Sequence, residues 1–230
     1  MISLLRKSVL VLSDREPVGQ GTRQLVFEHP TQSDTLIKVL KPEIYDRNGN
    51  LKERRWYRSF HKATAFFPFK REFSEFVDLI ARHQEGAPDL PLCYIQGLIQ
   101  TDLGIGFIYE KIADPDGKLS QTVYQIIKSK TATQQHIDDL DPFFDALEEN
   151  HVVLGDLNMK NIVYQKRADG TARYVCVDGV GSKQAIPLRK WFKSQNTKKV
   201  RQIHERCVRK IGASIQNSDA PKLATARDTA

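Results

Sequence analysis

Asp156 and Asn161 stand with four residues between them in the stretch HVVLGDLNMKNIVY, flanked by two apolar runs. The spacing D-x-x-x-x-N is typical of phosphoryl-transfer loops, in which the aspartate accepts a hydroxyl proton and the asparagine holds Mg²⁺. We therefore take Asp156 as the candidate catalytic residue and Asn161 as a candidate metal ligand. The other interpretation is a loop between short strands, in which Asp and Asn serve turn geometry.

A second candidate metal ligand follows 22 residues after Asp156. The apolar run YVCV predicts a short buried strand that ends at Asp178 and the flexible Gly179. A carboxylate at the end of such a strand can bind a magnesium ion that bridges nucleotide phosphates. Asn161 and Asp178 are thus the predicted ligands of Mg²⁺.

A glycine-rich turn contains Gly19 and Gly21 and leads to Val26. In the pattern G-x-G-x-x-G-x-V, the glycines let backbone amides approach phosphate oxygens because no side chain is in the way. The third glycine is absent, since Gln24 stands in its place. We predict that Gly19, Gly21 and Val26 contact a nucleotide, and the alternative is a hairpin turn without a ligand.

Lys38 lies inside the apolar run LIKVL, where a charged side chain is costly unless its head group is paired or reaches an edge. Glu72 lies on the flank of the next predicted helix and is the expected counter-ion, with Glu75 as the second choice. In phosphotransferases a lysine and a glutamate in these places fix the nucleotide phosphates. The alternative is a lysine and a glutamate that both face solvent.

These residues are predicted to lie on an α+β chain in which most strands come first. Apolar alternation predicts five early strands, at Ser8 to Leu12, Leu25 to Glu28, Thr35 to Leu40, 93–102 and 104–114. A helix is predicted before Gly86, with a core stripe of five residues: Phe69, Phe73, Phe76, Val77 and Ile80. Further helices are predicted at Ser120 to Lys128 and Gln134 to Asn150, and the insert Lys41 to Pro68 is predicted to be irregular or partly helical.

The order of these features predicts a protein-kinase-like fold with two lobes. Residues 1–112 would form an N-terminal lobe with an antiparallel sheet and one helix, and residues 113–215 a small, mainly helical C-terminal lobe. Residues 216–230 are polar and small, and we expect a disordered tail there. The expected cofactors of this fold are ATP and Mg²⁺.

The charge of the chain is concentrated in one late segment. The 230 residues carry a formal charge of +7, and residues 187–211 contain nine Lys or Arg against Glu205. Val200, Ile203, Cys207, Val208 and Ile211 recur there at helical spacing, which predicts an amphipathic helix with a basic outer face. That face is either solvated or binds an anionic partner. Nucleic acid is disfavoured because no aromatic residues alternate with the basic ones.

Composition also limits the class of protein and its location. No apolar run reaches the ~18 residues that cross a bilayer, and the N-terminal stretch has no small-residue cleavage site, so we expect a cytoplasmic protein without a transmembrane segment. The three cysteines are distant from one another and odd in number. We expect them to be core thiols and not disulfides or zinc ligands.

Several stretches resemble the YrbL-type family of PhoP regulatory network proteins. They are GQGTRQLVFEHP, LIKVL, KREFSEF, QTDLGIGFIYEKIADPDGKLS, the LNMKNIV loop and VCVDGVGSKQAIPLRKW, of which TDLGIGFIYEKIADPDGK is the most specific. The resemblance covers nearly the whole chain. It implies a cytoplasmic, kinase-like protein linked to a regulatory response, and it brings no substrate with it.

Several motifs of the sequence differ from those of protein kinases, and the differences indicate which kind of acceptor molecule is phosphorylated. The loop reads L-G-D-L-N, so Leu154 and Gly155 replace the His and Arg of H-R-D, and Val180 follows Asp178 and Gly179 where a kinase has phenylalanine. Only 52 residues follow Asp178, fewer than a peptide-binding helical platform needs. We predict transfer to a small-molecule or lipid-linked hydroxyl rather than to a protein. The alternative is a pseudokinase that acts by binding a regulatory partner.

Overall fold

The structure is a computed structural model, and it describes residues 9–46, 48–52, 65–82, 90–155, 157–181 and 193–227. Backbone contacts divide the chain into two compact units. The first contains Met1–Phe73 and Tyr94–Lys111, and the second contains Ser74–Cys93 and Ile112–Ala230. The chain has the predicted α+β class, with an antiparallel sheet and several helices.

The first unit contains a five-stranded antiparallel sheet. Its strands are β1 (Gly19–Gln20), β2 (Gln24–Glu28), β3 (Thr35–Leu40), β4 (Ile95–Thr101) and β5 (Gly104–Glu110), in the spatial order β1-β2-β3-β5-β4. The central strand β3 has the predicted bounds, and all six of its residues are buried. This sheet is therefore built around the strand that carries Lys38.

The strand predicted at Ser8 to Leu12 is wrong as far as the described residues 9–12 show. Leu10 forms only an isolated parallel bridge with Thr101, and the first strand is β1. The Asp102 carboxylate accepts the backbone N–H groups of Leu12 and Ser13 at 2.8 and 3.2 Å. Because these amides are bound by a side chain, they cannot extend a ladder along β4.

Helix α1 runs over Phe67–Arg82, so it begins two residues before the predicted stretch Phe69 to Gly86, and it buries a different face from the one expected. Phe69 is 2% exposed, whereas Phe73, Val77 and Ile80 are all exposed. Glu75 and Leu79 are buried instead, so the buried stripe is rotated relative to the prediction. The spacing of the apolar residues in the sequence therefore did not show which side of the helix is buried. In the insert, Pro42–Ile44 form a 3₁₀ turn, and residues 47 and 53–64 lie outside the described residues.

Besides the end of α1, the described residues of the second unit form four helices and a three-stranded antiparallel sheet. The strands β6 (Gln121–Thr122), β7 (Ile162–Lys166) and β8 (Ala172–Cys176) lie in chain order in space. The helices are α2 (Val123–Lys128), α3 (Gln134–Asp138), α4 (Leu140–Glu149) and α5 (Lys193–Arg227). The sequence predicted a mainly helical C-terminal lobe, and the pairing of β6 with β7 was not part of that prediction.

Two predicted helices have different bounds in the structure. The helix expected from Ser120 begins at Val123, because Thr122 is extended and forms a capping box with Gln125. The helix expected over residues 134–150 is interrupted at Asp139, whose carboxylate accepts a hydrogen bond from the Tyr164 hydroxyl. A side chain from β7 thus holds the junction between α3 and α4.

The predicted amphipathic helix is confirmed as α5. Val200, Ile203, Cys207 and Ile211 are buried in the core of the second unit with apolar residues of α4. Arg201 forms an ion pair with Glu148 at 3.1 Å. Among the α5 side chains that the structure describes, six other cations are exposed: Lys193, Lys198, Lys199, Arg206, Arg209 and Lys210. An anionic partner for this face stays a prediction. Residues 187–192 lie outside the described part of the chain.

Helix α5 continues to Arg227, into the stretch 216–230 for which a tail was predicted. Cys176 and Cys207 are buried, as expected for core thiols, and Cys93 is half-buried. Within the described residues, no helix is long and apolar enough to cross a membrane.

Candidate functional site

One cross-strand row of the first unit contains three of the predicted nucleotide contacts. Gly19 pairs with Val26, and Val26 pairs on its other side with Lys38. Residues directly opposite each other in an antiparallel sheet present their side chains to the same face. Gly19, Val26 and Lys38 therefore share one face of the sheet.

Lys38 is a buried cation, with only 8% of its surface exposed. It lies on β3 between Val26 of β2 and Phe107 of β5. Burying an ammonium group is costly unless other groups compensate its charge, so the contacts of this side chain matter more than those of a surface lysine.

Tyr109 connects Lys38 to Glu72. The Lys38 Nζ lies 3.9 Å from the centroid of the Tyr109 ring, and the Tyr109 hydroxyl donates a hydrogen bond to Glu72 Oε2 at 3.1 Å. Tyr109 is fully buried, and a cation–π contact is stronger when it is desolvated. The structure thus brings the predicted lysine and the predicted glutamate to one aromatic ring.

Helix α1 presents Glu72 to Tyr109 because Phe69 anchors the helix on the sheet. The rings of Phe69 and Phe107 are stacked, with centroids 4.0 Å apart and an interplanar angle of 3°. Phe107 is the β5 partner of Lys38, and Glu72 follows Phe69 by three residues, which places both on one side of the helix. The packing of one aromatic pair therefore positions the glutamate.

Sequence reasoning missed Tyr109, although a signal for it was present. Tyr109 follows Phe107 by two residues on β5, and residues two apart on a strand point to the same face. Pairing β5 with β3 would have placed Tyr109 near Lys38, but strand order cannot be read from one sequence.

Glu75, the second choice for a counter-ion, lies one turn further along α1 and is 4% exposed. Its Oε1 lies 3.9 Å from Nη2 of Arg82, which is a neighbour on the same helix. Glu72 has a contact to the residue that Lys38 also contacts, because the Tyr109 hydroxyl donates to it.

Gly19 and Gly21 lie in the hairpin that joins β1 to β2. The Gly21 N–H donates to the Gln24 carbonyl at 2.9 Å. Neither glycine has a positive φ, and a Cβ would lie 3.8 Å from Val26 Cβ at Gly19 and within 4 Å of no described atom at Gly21. The hairpin itself does not require glycine at either position, and the space beside Gly21 is open.

In the second unit, the chain around Asn161 is joined to the strand end that carries Asp178. The Asn161 carbonyl accepts the Val177 N–H at 2.9 Å, and the Asp178 Oδ1 accepts the Gly179 N–H at 2.6 Å. The backbone bond places Asn161 beside the residue that precedes Asp178. These two side chains offer oxygen atoms, the ligand type that Mg²⁺ prefers.

The two loops of the second unit are held together by a short ladder. The Gly155 N–H donates to the Gly179 carbonyl at 2.8 Å, and the Gly181 N–H donates to the Val153 carbonyl at 2.7 Å, on either side of a bridge between Leu154 and Val180. Leu154 is 2% exposed, so the position that departs from the kinase pattern is filled by a core side chain.

The predicted catalytic residue, Asp156, lies outside the described residues. In the part of the chain that the structure describes, no group of three or more His, Cys, Asp and Glu side chains could hold a metal ion. A magnesium ion held by two protein ligands would complete its shell with phosphate oxygens and water.

The chain belongs to the family described as PhoP regulatory network protein YrbL, whose sequence model matches residues 10–212. It is 25% identical over 209 residues to the protein described as "Uncharacterized protein YrbL" of Escherichia coli (strain K12), with 89% of each chain covered. The protein of the same description from Shigella flexneri matches with the same identity and coverage.

Proposed function

We propose that the protein is a Mg-ATP-dependent phosphotransferase with a protein-kinase-like fold, acting on a hydroxyl group of a small-molecule or lipid-linked acceptor. The observation that carries this proposal is that buried Lys38 and half-buried Glu72 contact the same residue, Tyr109: Lys38 lies over its ring, and Glu72 accepts a hydrogen bond from its hydroxyl. A buried cation held in this way is suited to bind phosphate oxygens, because little solvent screens its charge.

The row formed by Gly19, Val26 and Lys38 supports a nucleotide on that face of the sheet. Gly21 has no positive φ and no described atom within 4 Å of a Cβ position, so a ligand has space to approach the backbone amide there. In the proposal, Gly19 and Gly21 contact the phosphates, Val26 covers the base, and Lys38 with Glu72 fixes the α- and β-phosphates.

The second unit would supply the metal and the base. Asn161 and Asp178 hold Mg²⁺, and Asp156 accepts the proton of the acceptor hydroxyl. The hydrogen bond between Asn161 and Val177 supports a shared metal site, because it fixes the loop next to Asp178. Leu154 and Gly155 in place of His and Arg, and Val180 in place of phenylalanine, favour a small or lipid-linked acceptor over a protein.

A second candidate function is that of a pseudokinase, which binds a regulatory partner in a PhoP-linked stress response without phosphoryl transfer. The absent third glycine favours it, because Gln24 of β2 stands there and its carbonyl accepts the Gly21 N–H. Transfer of phosphate to an acceptor separates the two functions, since a pseudokinase has none.

The first test is the stabilisation of the native protein by Mg-ATP in a thermal-shift measurement. A ligand that binds only the native state raises its apparent stability. We expect an upward shift with Mg-ATP for wild type, a smaller shift for Lys38→Met and none that depends on magnesium for Asp178→Asn. Lys111→Met is the matched control, because Lys111 is another lysine of the first unit and its ion pair with Glu28, at 2.7 Å, has no role in the proposal. Equal shifts in all four proteins would contradict the proposal.

A further inference from the structure

Five exposed cations lie on one side of helix α5. Arg206 and Lys210 follow Lys199 by 7 and 11 positions. A helix with about 3.6 residues per turn places residues at this spacing in a row that spans only about 40° around its axis. Lys198 and Arg209 lie next to this row, and all five residues are exposed and fall within about 120° around the helix. They extend for about 18 Å along α5, and we call them the basic face.

The acidic residues of the neighbouring helix α4 lie on another side of α5. Arg201 forms an ion pair with Glu148 at 3.1 Å, and the Nε2 of His204 lies 3.1 Å from Asp141 Oδ1. Arg201 and His204 are about 120–180° away from the row around the helix axis. The carboxylates of α4 therefore meet the side of α5 that is opposite to the row.

The basic face belongs to a helix whose charge differs in sign from that of the preceding part of the second unit. Residues 193–217 contain seven Lys or Arg and one acidic residue, Glu205. Residues 112–181 contain seven Lys or Arg against eleven Asp or Glu. The two net charges are thus +6 and −4, so the second unit concentrates its positive charge on α5. A concentration of one sign creates a local potential that attracts the opposite charge.

The composition of the basic face limits the kind of anionic partner. Among the side chains of α5 that the structure describes, no large apolar one is exposed. The centre of a protein–protein interface is generally apolar, and single-stranded nucleic acid generally stacks on aromatic rings. Proteins on duplex nucleic acid add contacts from hydroxyl, amide and backbone N–H groups to those of their cations. A bilayer with anionic headgroups needs none of these, because it attracts cations through its surface potential.

We propose that the basic face of α5 is a docking surface for an anionic lipid bilayer, on which the protein binds without inserting into the hydrocarbon. A cluster of about four to eight Lys or Arg on one helix is sufficient for such binding, and each cation near the surface strengthens it. With α5 parallel to the membrane plane, the five side chains reach the headgroups together. The inference goes beyond the proposed function, because it uses no residue of the nucleotide or metal site.

The experiment is co-sedimentation of the full chain with vesicles of phosphatidylcholine, with and without phosphatidylglycerol. We expect wild type to bind the vesicles that contain phosphatidylglycerol and not those of phosphatidylcholine alone. Binding should be lost in about 1 M salt, where the Debye length falls to about 3 Å. The double variant Arg206→Glu with Lys210→Glu should bind at least about tenfold more weakly than wild type.

The matched control is Lys128→Glu with Lys166→Glu, which changes the net charge by the same amount. Both are exposed lysines of the second unit outside α5. We expect this control to bind within about twofold of wild type, because the affinity depends on the basic face and not on the total charge. Urea unfolding checks that both double variants are folded. Should the first not fold, Arg206→Gln with Lys210→Gln removes the two charges without reversing them and should lower binding in the same direction.

Three results would overturn the inference. Wild type may fail to bind the phosphatidylglycerol vesicles, the two double variants may lose binding equally, or binding may persist in high salt, which would indicate apolar insertion instead. Duplex DNA is measured alongside the vesicles as the other phosphate-rich surface. Tighter binding of DNA than of the vesicles, with the same loss in the α5 variant, would replace the bilayer by nucleic acid as the partner of this face.

Discussion

The ammonium of Lys38 lies 3.9 Å from the centroid of the Tyr109 ring, so a buried cation of the central strand is held by a buried aromatic residue. The same tyrosine donates its hydroxyl to Glu72 of α1 at 3.1 Å. Lys38 and Glu72 are 34 positions apart in the chain, and the Tyr109 side chain contacts both of them. The contact also means that the hydroxyl and the ring of Tyr109 can be tested separately.

Tyr109→Phe should keep the ring under Lys38 and remove the hydrogen bond to Glu72. We expect the free energy of unfolding to fall by about 1–2 kcal/mol, because a half-buried carboxylate loses a donor. The measurement is urea unfolding, together with the Mg-ATP thermal shift, which should also decrease. Tyr124→Phe is the control, since Tyr124 is 44% exposed. Unchanged stability and unchanged nucleotide response of Tyr109→Phe would show that the hydroxyl does not position Glu72.

Gly21→Ala should separate the stability of the hairpin from its binding of nucleotide. A Cβ at Gly21 meets no described atom within 4 Å, and the residue has no positive φ. The free energy of unfolding should therefore change by less than about 1 kcal/mol, and it can rise because alanine restricts the unfolded chain. The affinity for Mg-ATP, measured by titration calorimetry, should fall because the methyl group blocks the approach of phosphate. An affinity equal to that of wild type would remove Gly21 from the nucleotide site.

Gly106→Ala tests the packing of the sheet that supports Lys38. A Cβ at Gly106 would lie 2.7 Å from Ile37 Cγ2 and 3.1 Å from Ile99 Cγ2, whereas a Cβ at Gly97 would meet no described atom within 4 Å. Overpacking of this kind typically costs about 1–3 kcal/mol. Urea unfolding should show Gly106→Ala destabilised by that amount and Gly97→Ala nearly unchanged. Equal stabilities of the two variants would contradict the described packing of β5 between β3 and β4.

The sheet of the first unit was largely predictable because its strands are short apolar runs between turn residues. Thr35–Leu40 was predicted with its observed bounds, and β2 differs from the prediction by one residue. The strand order was not predictable, since β5 and not β4 pairs with β3. The contact between Lys38 and Tyr109 follows from that order, which explains why sequence reasoning found the lysine and missed the tyrosine.

Other elements were misjudged where a side chain from a distant residue overrides local preference. Asp102 binds the amides of Leu12 and Ser13 and prevents the expected first strand from forming. Asp139 is bound by Tyr164 of β7 and marks the break between α3 and α4. Neither hydrogen bond leaves a signal in the periodicity of the segment that it changes.

The pH dependence of stability should contain a contribution from Cys207. Burial raises the pKa of the Cys207 thiol from 9.0 to about 11, so the native state keeps a proton that the unfolded chain releases at lower pH. This contribution is fully present below pH 9.0 and is lost as the pH rises towards about 11. Urea unfolding should show that Cys207→Ala loses less stability over this range than wild type. An identical loss in both proteins would show that Cys207 is not protected from ionisation.

The most direct test of phosphotransferase activity is the rate at which the γ-phosphate of Mg-ATP is released or transferred, measured for wild type, Asp156→Asn and Asp138→Asn. Asp138 is the control because it is an exposed aspartate of the second unit at the end of α3. A base that acts in the transition state matters more for turnover than for nucleotide affinity. We predict measurable turnover for wild type and Asp138→Asn, a rate lower by roughly a hundredfold for Asp156→Asn, and an equal Mg-ATP thermal shift in all three. The phosphotransferase proposal would be contradicted if wild type shows no turnover with any sugar, lipid or protein acceptor, or if Asp156→Asn has the same rate as wild type. Either result would favour the pseudokinase, which acts by binding a partner.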